Sequence, residues 1–264
     1  MYAYSKSSSC NAIKELKAAN DLPFLFRVHD EPDKKKLSES LEFLAGLGIK
    51  SAKKNLSSKE INNLLQEANK LPEKDIIHQI LIRAMAKAVY SAANIGHYGL
   101  GFKEYSHFTS PIRRYPDLVV HRLLKEYSKG LPEKDRLNYL KMFVKDAANH
   151  TSNTERLAMD AERASIKLTQ TVLASNLVGN EYNATISGVQ SYGVFAVLDE
   201  IYAEGLLHIK DMIDDYYIYD DKKFRMVGRK NKKIFSFGKK IRVKIIKVNI
   251  NKRTIDLRMV KSAT

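Results

Sequence analysis

Chemistry in this chain concentrates in residues 104–122, E-Y-S-H-F-T-S-P-I-R-R-Y-P-D-L-V-V-H-R, where arginine, histidine, tyrosine and proline crowd a stretch that keeps neither a strand nor a helix period. Proline pushes the residue before it out of the α region, so Ser110-Pro111 predicts a turn. Pro116 stands just inside a new apolar run, Leu118, Val119 and Leu123, and predicts the opening of a helix. Arg113 and Arg114 therefore fall on a stiffened connection leading into a helix N-terminus. Guanidinium forks and free helix N–H groups can converge there on a phosphate. A pair of arginines tied to nearby carboxylates satisfies the same spacing, and spacing alone leaves both readings open.

The elements that must hold this stretch read as helical over the first two-thirds of the chain. Residues 11–20 predict a short helix, and Pro23 to His29 a buried extended run. His29 follows that run beside Asp30 and Glu31 and reads as a surface histidine near two acids. Leu37, Leu41, Leu44 and Leu47 step at helical spacing toward a Gly48 cap. Ile61, Leu64, Leu65 and Ala68 make a second amphipathic helix; Ile76, Ile77, Ile80, Leu81, Ala84, Met85 and Ala88 make a third. Leu-Pro-Glu-Lys-Asp occurs at 71–75 and again at 131–135, the same helix-start chemistry used twice. Gly96, Gly99 and Gly101 break the period with tight turns. Residues 133–178 carry helical periodicity with Leu157, Ala161, Ala164, Leu168 and Val172 on one face, an expected interruption at Asn149–Asn153 and a stop at Gly179. Glu155 and Glu162 share a face and read as a solvated charged surface.

From Asn180 the period changes to two. Strands are predicted around Tyr182–Ile186, Ser191–Leu198, Gly205–Ile209, Ile241–Ile250 and Ile255–Met259. In the fourth, apolar parity slips from Ile241, Val243 and Ile245 to Ile246, Val248 and Ile250, which predicts a bulge. Five curved strands in this length fit a small closed barrel of OB-fold type. The fold class is therefore α+β, with residues 1–178 mostly helical and residues 179–264 a five-stranded barrel. Tyr192 and Phe195 share a candidate face with His208. Between the third and fourth strands, residues 222–240 hold nine Lys/Arg and no acid, with Phe224, Phe235 and Phe237 interleaved. Cations to track phosphates and rings to stack bases suit single-stranded nucleic acid, with Lys230, Lys232 and Lys233 as candidate contacts. A solvated loop anchored by its phenylalanines is the plainer reading.

Composition agrees on the partner. The formal net charge is +15; residues 179–264 hold 17 Lys/Arg against 10 Asp/Glu and the remainder 28 against 20, so both parts share an affinity for a polyanion. One cysteine, Cys10, excludes an internal disulfide and fits a reducing compartment. No apolar run reaches the ~18 residues of a membrane span, and Met1–Lys17 lacks a hydrophobic signal core. The expected location is the cytoplasm, with no membrane partner.

Gly96-His97-Tyr98-Gly99-Leu100, the run from Tyr105 through Thr109-Ser110-Pro111-Ile112-Arg113-Arg114-Tyr115-Pro116-Asp117-Leu118, His121-Arg122, Phe26–Pro32 and Ala161-Glu162-Arg163 together resemble the catalytic (RNB) domain of the ribonuclease II/ribonuclease R exoribonucleases, the ribonuclease R branch being nearer because ribonuclease II departs from Arg-Arg. The barrel pattern from Gly188 to His208 resembles the S1-type RNA-binding domain that ends these enzymes. The resemblance implies processive, Mg²⁺-dependent 3′-to-5′ hydrolysis of RNA, single-stranded or structured, to nucleoside 5′-monophosphates. It gives Arg113 the scissile phosphate and Glu162 a place near the 3′-terminal nucleotide, both counted as catalytic. Tyr105, His107 and Arg114 of the signature and Arg242 of the barrel complete the RNA-binding set. The family's metal ligands are an aspartate cluster that the resemblance places upstream of Met1, so no metal ligand is assigned here. Asp214, Asp215, Asp220 and Asp221, the one dense acidic group, fall in the loop after the third strand. Three functions follow: an exoribonuclease of which this is the C-terminal portion, partnered by the upstream part of its catalytic domain; a non-catalytic RNA-binding remnant; and a translation-associated binding module.

Overall fold

The computed structural model describes residues 22–46, 56–71 and 74–260; the helix expected over 11–20, Cys10 and the Gly48 cap lie outside them. The apolar run after Pro23 is buried as expected. Its centre, β1 (Phe26–Val28), pairs antiparallel with β2 (Val89–Ser91), Phe26 opposite Ser91 and Val28 opposite Val89. The three amphipathic patterns become α1 (Lys34–Gly46), α2 (Ser58–Ala68) and α3 (Lys74–Ala84). Met85 and Ala88 fall beyond α3, in the approach to β2. α4 (Tyr115–Tyr127) opens with proline in its first turn and buries Pro116, Val119, Val120, Leu123 and Tyr127, an i, i+3, i+4, i+7 stripe. α5 spans Lys134–Ser175. Both Leu-Pro-Glu-Lys-Asp copies start a helix at their lysine, Lys74 and Lys134.

α5 is not interrupted at Asn149–Asn153. Thr151 Oγ1 donates to Ala147 O at 2.6 Å and Thr154 Oγ1 to His150 O at 3.0 Å, so these hydroxyls turn back onto the helix's own carbonyls instead of breaking it. The helix also ends before Gly179. That glycine, at φ +96°, gives its N–H to Ile245 O at 2.9 Å and marks the entry into the barrel. The face of Leu157, Leu168 and Val172 is exposed; Thr171 and Ala174 are the buried residues of the last turns.

The chain forms two compact units, one of Met1–Glu42, Ile49–Glu67 and Ile80–Ala158, the other of Phe43–Gly48, Ala68–Gln79 and Met159–Thr264. In the first, Phe24, Leu25, Phe26 and Val28 pack with Val119, Val120 and Leu123 of α4 and with Leu140 and Val144 of α5. In the second, β3 (Glu181–Gln190), β4 (Gly193–Leu198), β5 (Glu204–His208), β9 (Lys240–Asn249) and β10 (Thr254–Met259) close a barrel in the order β10-β5-β4-β3-β9. The α+β class with a closed five-stranded barrel is as expected. So is the bulge: Asp256 faces Lys247 while Leu257 faces Ile245, leaving Ile246 as the extra residue.

The basic stretch between β5 and β9 is not a loop. β6 (Tyr217–Asp220), β7 (Arg225–Gly228) and β8 (Ile234–Ser236) form a three-stranded antiparallel sheet there. Its strands are only three or four residues long and the lysines fall in the turns between them, so the period is hard to see; the residues that sink into the core are Tyr217, Met226 and Phe235.

Behind β1 and β2 lies a hub of rings. Gly99 N–H donates to His29 Nδ1 at 2.8 Å, and His29 Nε2 meets Ala86 O at 2.7 Å. Both ring nitrogens are thus used internally, and His29 is not the free surface histidine that its acidic neighbours suggested. His97 stacks on His29 at 5.1 Å, and Tyr105 meets His97 and His107 edge-on at 5.2 and 5.8 Å. Tyr90 OH lies 2.8 Å from His107 Nδ1. Burial pushes the Tyr90 phenol up to about 12, so it keeps its proton and donates. Burial, and after it the His29 ring, lowers His97 to about 4; burial, then Arg114 and Arg27, lowers His107 to about 4.

Two expectations follow from this packing. A Cβ on Gly193 would stand 2.6 Å from Leu207 O, inside a closed barrel whose backbone has little room to give, so Gly193→Ala should cost ~1–3 kcal/mol, read as a lowered melting temperature. Both histidines have folded pKa values below the unfolded value of about 6.5, so their contribution to stability is full above that pH and lost as pH falls toward about 4. Thermal melts across this window should show a falling midpoint, with a smaller fall in a His97→Gln/His107→Gln double variant.

Candidate nucleic-acid interface

The Ser110–Arg114 turn forms because Ser110 O accepts the N–H groups of Arg113 (3.3 Å) and Arg114 (3.0 Å). Arg114 is the N-cap of α4 in extended backbone, φ −125° and ψ 110°. Successive side chains point to opposite sides of extended backbone, and the two arginines have opposite fates. Arg114 Nη2 pairs with Asp117 Oδ2 at 2.8 Å, and that side chain is only 23% exposed. Arg113 is exposed and its guanidinium has no partner among the described residues. Ile112 beside it is fully exposed. The carboxylate reading thus holds for Arg114, and Arg113 is left facing solvent.

Beneath the turn, the other signature residues are less open than a contact role implies. Tyr105 is buried and its backbone O accepts Arg27 N–H at 2.8 Å, so its ring is no free stacking platform. His107 is half-buried and neutral, with Nδ1 taken by Tyr90. The exposed ring of the hub is Phe102, stacked on Tyr105 at 5.9 Å. Sequence reasoning missed it; its place after Gly101, a residue with φ +68°, was the available signal. Glu155 is not a solvated acid either, since it pairs with Arg27 Nη1 at 2.6 Å.

In the second unit, Phe195 and His208 lie on the outer face of the barrel. β4 and β5 pair with Gly193 opposite His208 and Phe195 opposite Leu206, while Val194, Ala196 and Leu207 turn inward and are buried. Tyr192, exposed at the start of β4, meets Phe195 edge-on at 6.0 Å. His208 Nδ1 accepts Lys210 N–H at 3.1 Å. The next row around the barrel runs Val197, Thr185, Lys240 across β4, β3 and β9, so the aromatic patch adjoins the cations of β9. Arg242, one row on and opposite Asn183, is exposed with a 3.2 Å contact to Glu181. Glu162 is exposed on α5 and has no partner among the described residues.

The small sheet revises the basic stretch. Phe235 is buried in the barrel core, with Lys233 Nζ 5.3 Å from its ring centroid. It cannot stack on a base. Lys230, Lys232 and Lys233 stay exposed on the β7–β8 hairpin, Lys232 Nζ donating to Arg229 O at 3.0 Å. The acidic group is a scaffold for that hairpin. Asp215 Oδ2 accepts the N–H groups of Lys230 and Asn231, both at 2.7 Å, Asp214 accepts Tyr217 OH at 3.0 Å, and Asp220 pairs with Arg225 at 3.0 Å. Among the described residues no group of three His, Cys, Asp or Glu stands where it could hold a metal ion, and no helix is long and apolar enough to cross a membrane.

Comparison with known proteins adds the family. Residues 10–130 match the RNB domain and residues 177–259 the S1 RNA binding domain. The chain is 36% identical to ribonuclease R of Aquifex aeolicus over 242 residues, covering 90% of this chain and 34% of that protein, and 31% identical to ribonuclease R of Escherichia coli, covering 91% and 30%. It spans about a third of the length of these curated relatives. Mycoplasma genitalium RNase R superposes with a TM-score of 0.82 in its apo form, at 29% identity, and 0.81 in complex with ribose methylated single-stranded RNA, covering 96% of this chain and 40% of that one. With an RNB segment, an S1 domain in the same order, and ribonuclease R relatives along nine-tenths of its length, the chain belongs to the RNB family of ribonuclease R proteins.

Proposed function

We propose that this chain is the RNA-gripping portion of a 3′-to-5′ exoribonuclease that shortens single-stranded and structured RNA processively to nucleoside 5′-monophosphates. The observation that carries the reading is Arg113: an exposed, unpaired guanidinium on a turn closed from beneath by backbone hydrogen bonds. Such a cation is placed before its ligand arrives, and a phosphate is the ligand its fork suits. Asp117, an acid in the first turn of α4, already answers the positive end of that helix, so attraction for a phosphate falls on Arg113 itself. Arg113 would offset charge that builds on the scissile phosphate. Glu162 on α5 would face the 3′-terminal nucleotide.

The barrel supplies the second grip. Tyr192 and Phe195 offer stacking faces and His208 a ring nitrogen, while Arg242 tracks the backbone. Lys230, Lys232 and Lys233 add phosphate contacts from the hairpin. Tyr105 and His107 act from below by shaping the ground on which Arg113 stands.

Mg²⁺ would supply the water activation of the complete family enzyme. The described residues do not make its site; the aspartate-bearing part of the RNB domain is the partner that would bring it. The single cysteine, which suits a reducing compartment, supports a cytoplasmic setting for this work.

Binding of a short single-stranded RNA across a salt series tests the grip. Arg113→Ala should weaken it roughly tenfold and lower the salt slope by about one. The Lys230, Lys232 and Lys233 triple alanine variant should lower that slope by up to about three; an unchanged slope would make the hairpin a bystander. Removing divalent ions with EDTA should leave affinity unchanged, since the contacts named are cationic and aromatic side chains. A fall in affinity on chelation would place a metal in the grip.

A further inference from the structure

Asp117 is a fully buried carboxylate on the first turn of α4. Its Oδ2 accepts Ser110 N–H at 2.7 Å and Arg114 Nη2 at 2.8 Å. Ser110 O in turn accepts the N–H groups of Arg113 and Arg114. Ser110 is therefore held at both its backbone polar atoms, and the turn carrying Arg113 is closed into a ring by one carboxylate. Asp117 Oδ1 and Arg114 Nε are buried with no partner among the described residues. A buried acceptor and a buried donor left unpaired are costly, and a helix start made for stability alone has cheaper forms, such as a serine cap.

We infer that Asp117 is the positioning residue for Arg113, and that Arg114 is the counter-ion of Asp117 rather than a second phosphate ligand. The inference rests on the reading of Arg113 as a phosphate contact. It follows from where each group's bonding capacity goes. Arg114 spends Nη2 on Asp117 and keeps Nε in the interior, so that edge of its guanidinium faces the carboxylate and not a phosphate. Arg113 spends nothing, and its one constraint is the turn that Asp117 closes. A guanidinium held in place loses less rotamer entropy on binding than one on a loose loop.

The test is a double-variant cycle on the 264-residue chain, read by anisotropy of a labelled single-stranded RNA over a salt series, with thermal melts alongside. Asp117→Asn should weaken binding roughly tenfold and lower the salt slope by about one, as Arg113→Ala does. In the Arg113→Ala background, Asp117→Asn should cost little more. If Asp117→Asn does not fold at assay temperature, Arg114→Lys carries the same cycle, because it loosens the pair while keeping a cation. A further full loss of affinity and slope in the Arg113→Ala background, from either variant, overturns the inference; so does a lowered melting temperature with unchanged binding. Arg113→Ala without effect overturns the phosphate reading itself and the positioning role with it.

Discussion

The first unit depends on what Arg27 does with its two ends. Its backbone N–H, on β1, reaches Tyr105 O and joins the strand to the segment that leads into the arginine turn. Its guanidinium lies over the Tyr90 ring at 4.5 Å and pairs with Glu155 of α5 at 2.6 Å. One residue thus ties a strand, the hub of rings and the long helix. The pair is largely out of water, 13% and 35% exposed, where removing one partner leaves a charge that nothing else neutralises. Burial first, and the neighbouring charges after it, keep His97 and His107 neutral, so the hub is built from neutral rings.

Much of this was legible in the sequence because the signals were local. Proline at 116 opened a helix, the parity slip at Ile246 was a bulge, and the alternation of β3, β4 and β5 specified which residues face outward. What escaped were features decided by distant partners. Nothing within a few positions of Glu155 announces Arg27, 128 residues away. The polar run at 149–153 looked like a break because threonine and asparagine favour loops; inside a long helix their hydroxyls simply bond the preceding turn. The β6–β8 sheet reads in sequence as a stretch between strands because its strands are three or four residues long and the lysines of its turns dominate the composition.

The proposed grips of the barrel and of the turn would act by different physics. A cation on a fixed turn contributes a point contact that salt screens. Rings on a barrel face contribute stacking that salt hardly touches and that any base can accept. Tyr192 and Phe195 flank Gly193, where a Cβ would strike the Leu207 carbonyl of the neighbouring strand. The cations of β9 begin one row away, so a strand lying across this face would meet rings and charges in succession.

Adjacent arginines with the same side chain end in different environments because one dihedral pair separates them. Extended backbone at Arg114 sends its side chain inward to a carboxylate and leaves Arg113 facing out. Had both residues been helical, their side chains would have stood about 100° apart on one surface and competed for the same acid. Helix α4 begins at Tyr115 with Pro116 in its first turn, so the change of backbone falls at the N-cap, Arg114 itself. The extended N-cap, one residue before the helix begins, is thus what separates the two side chains.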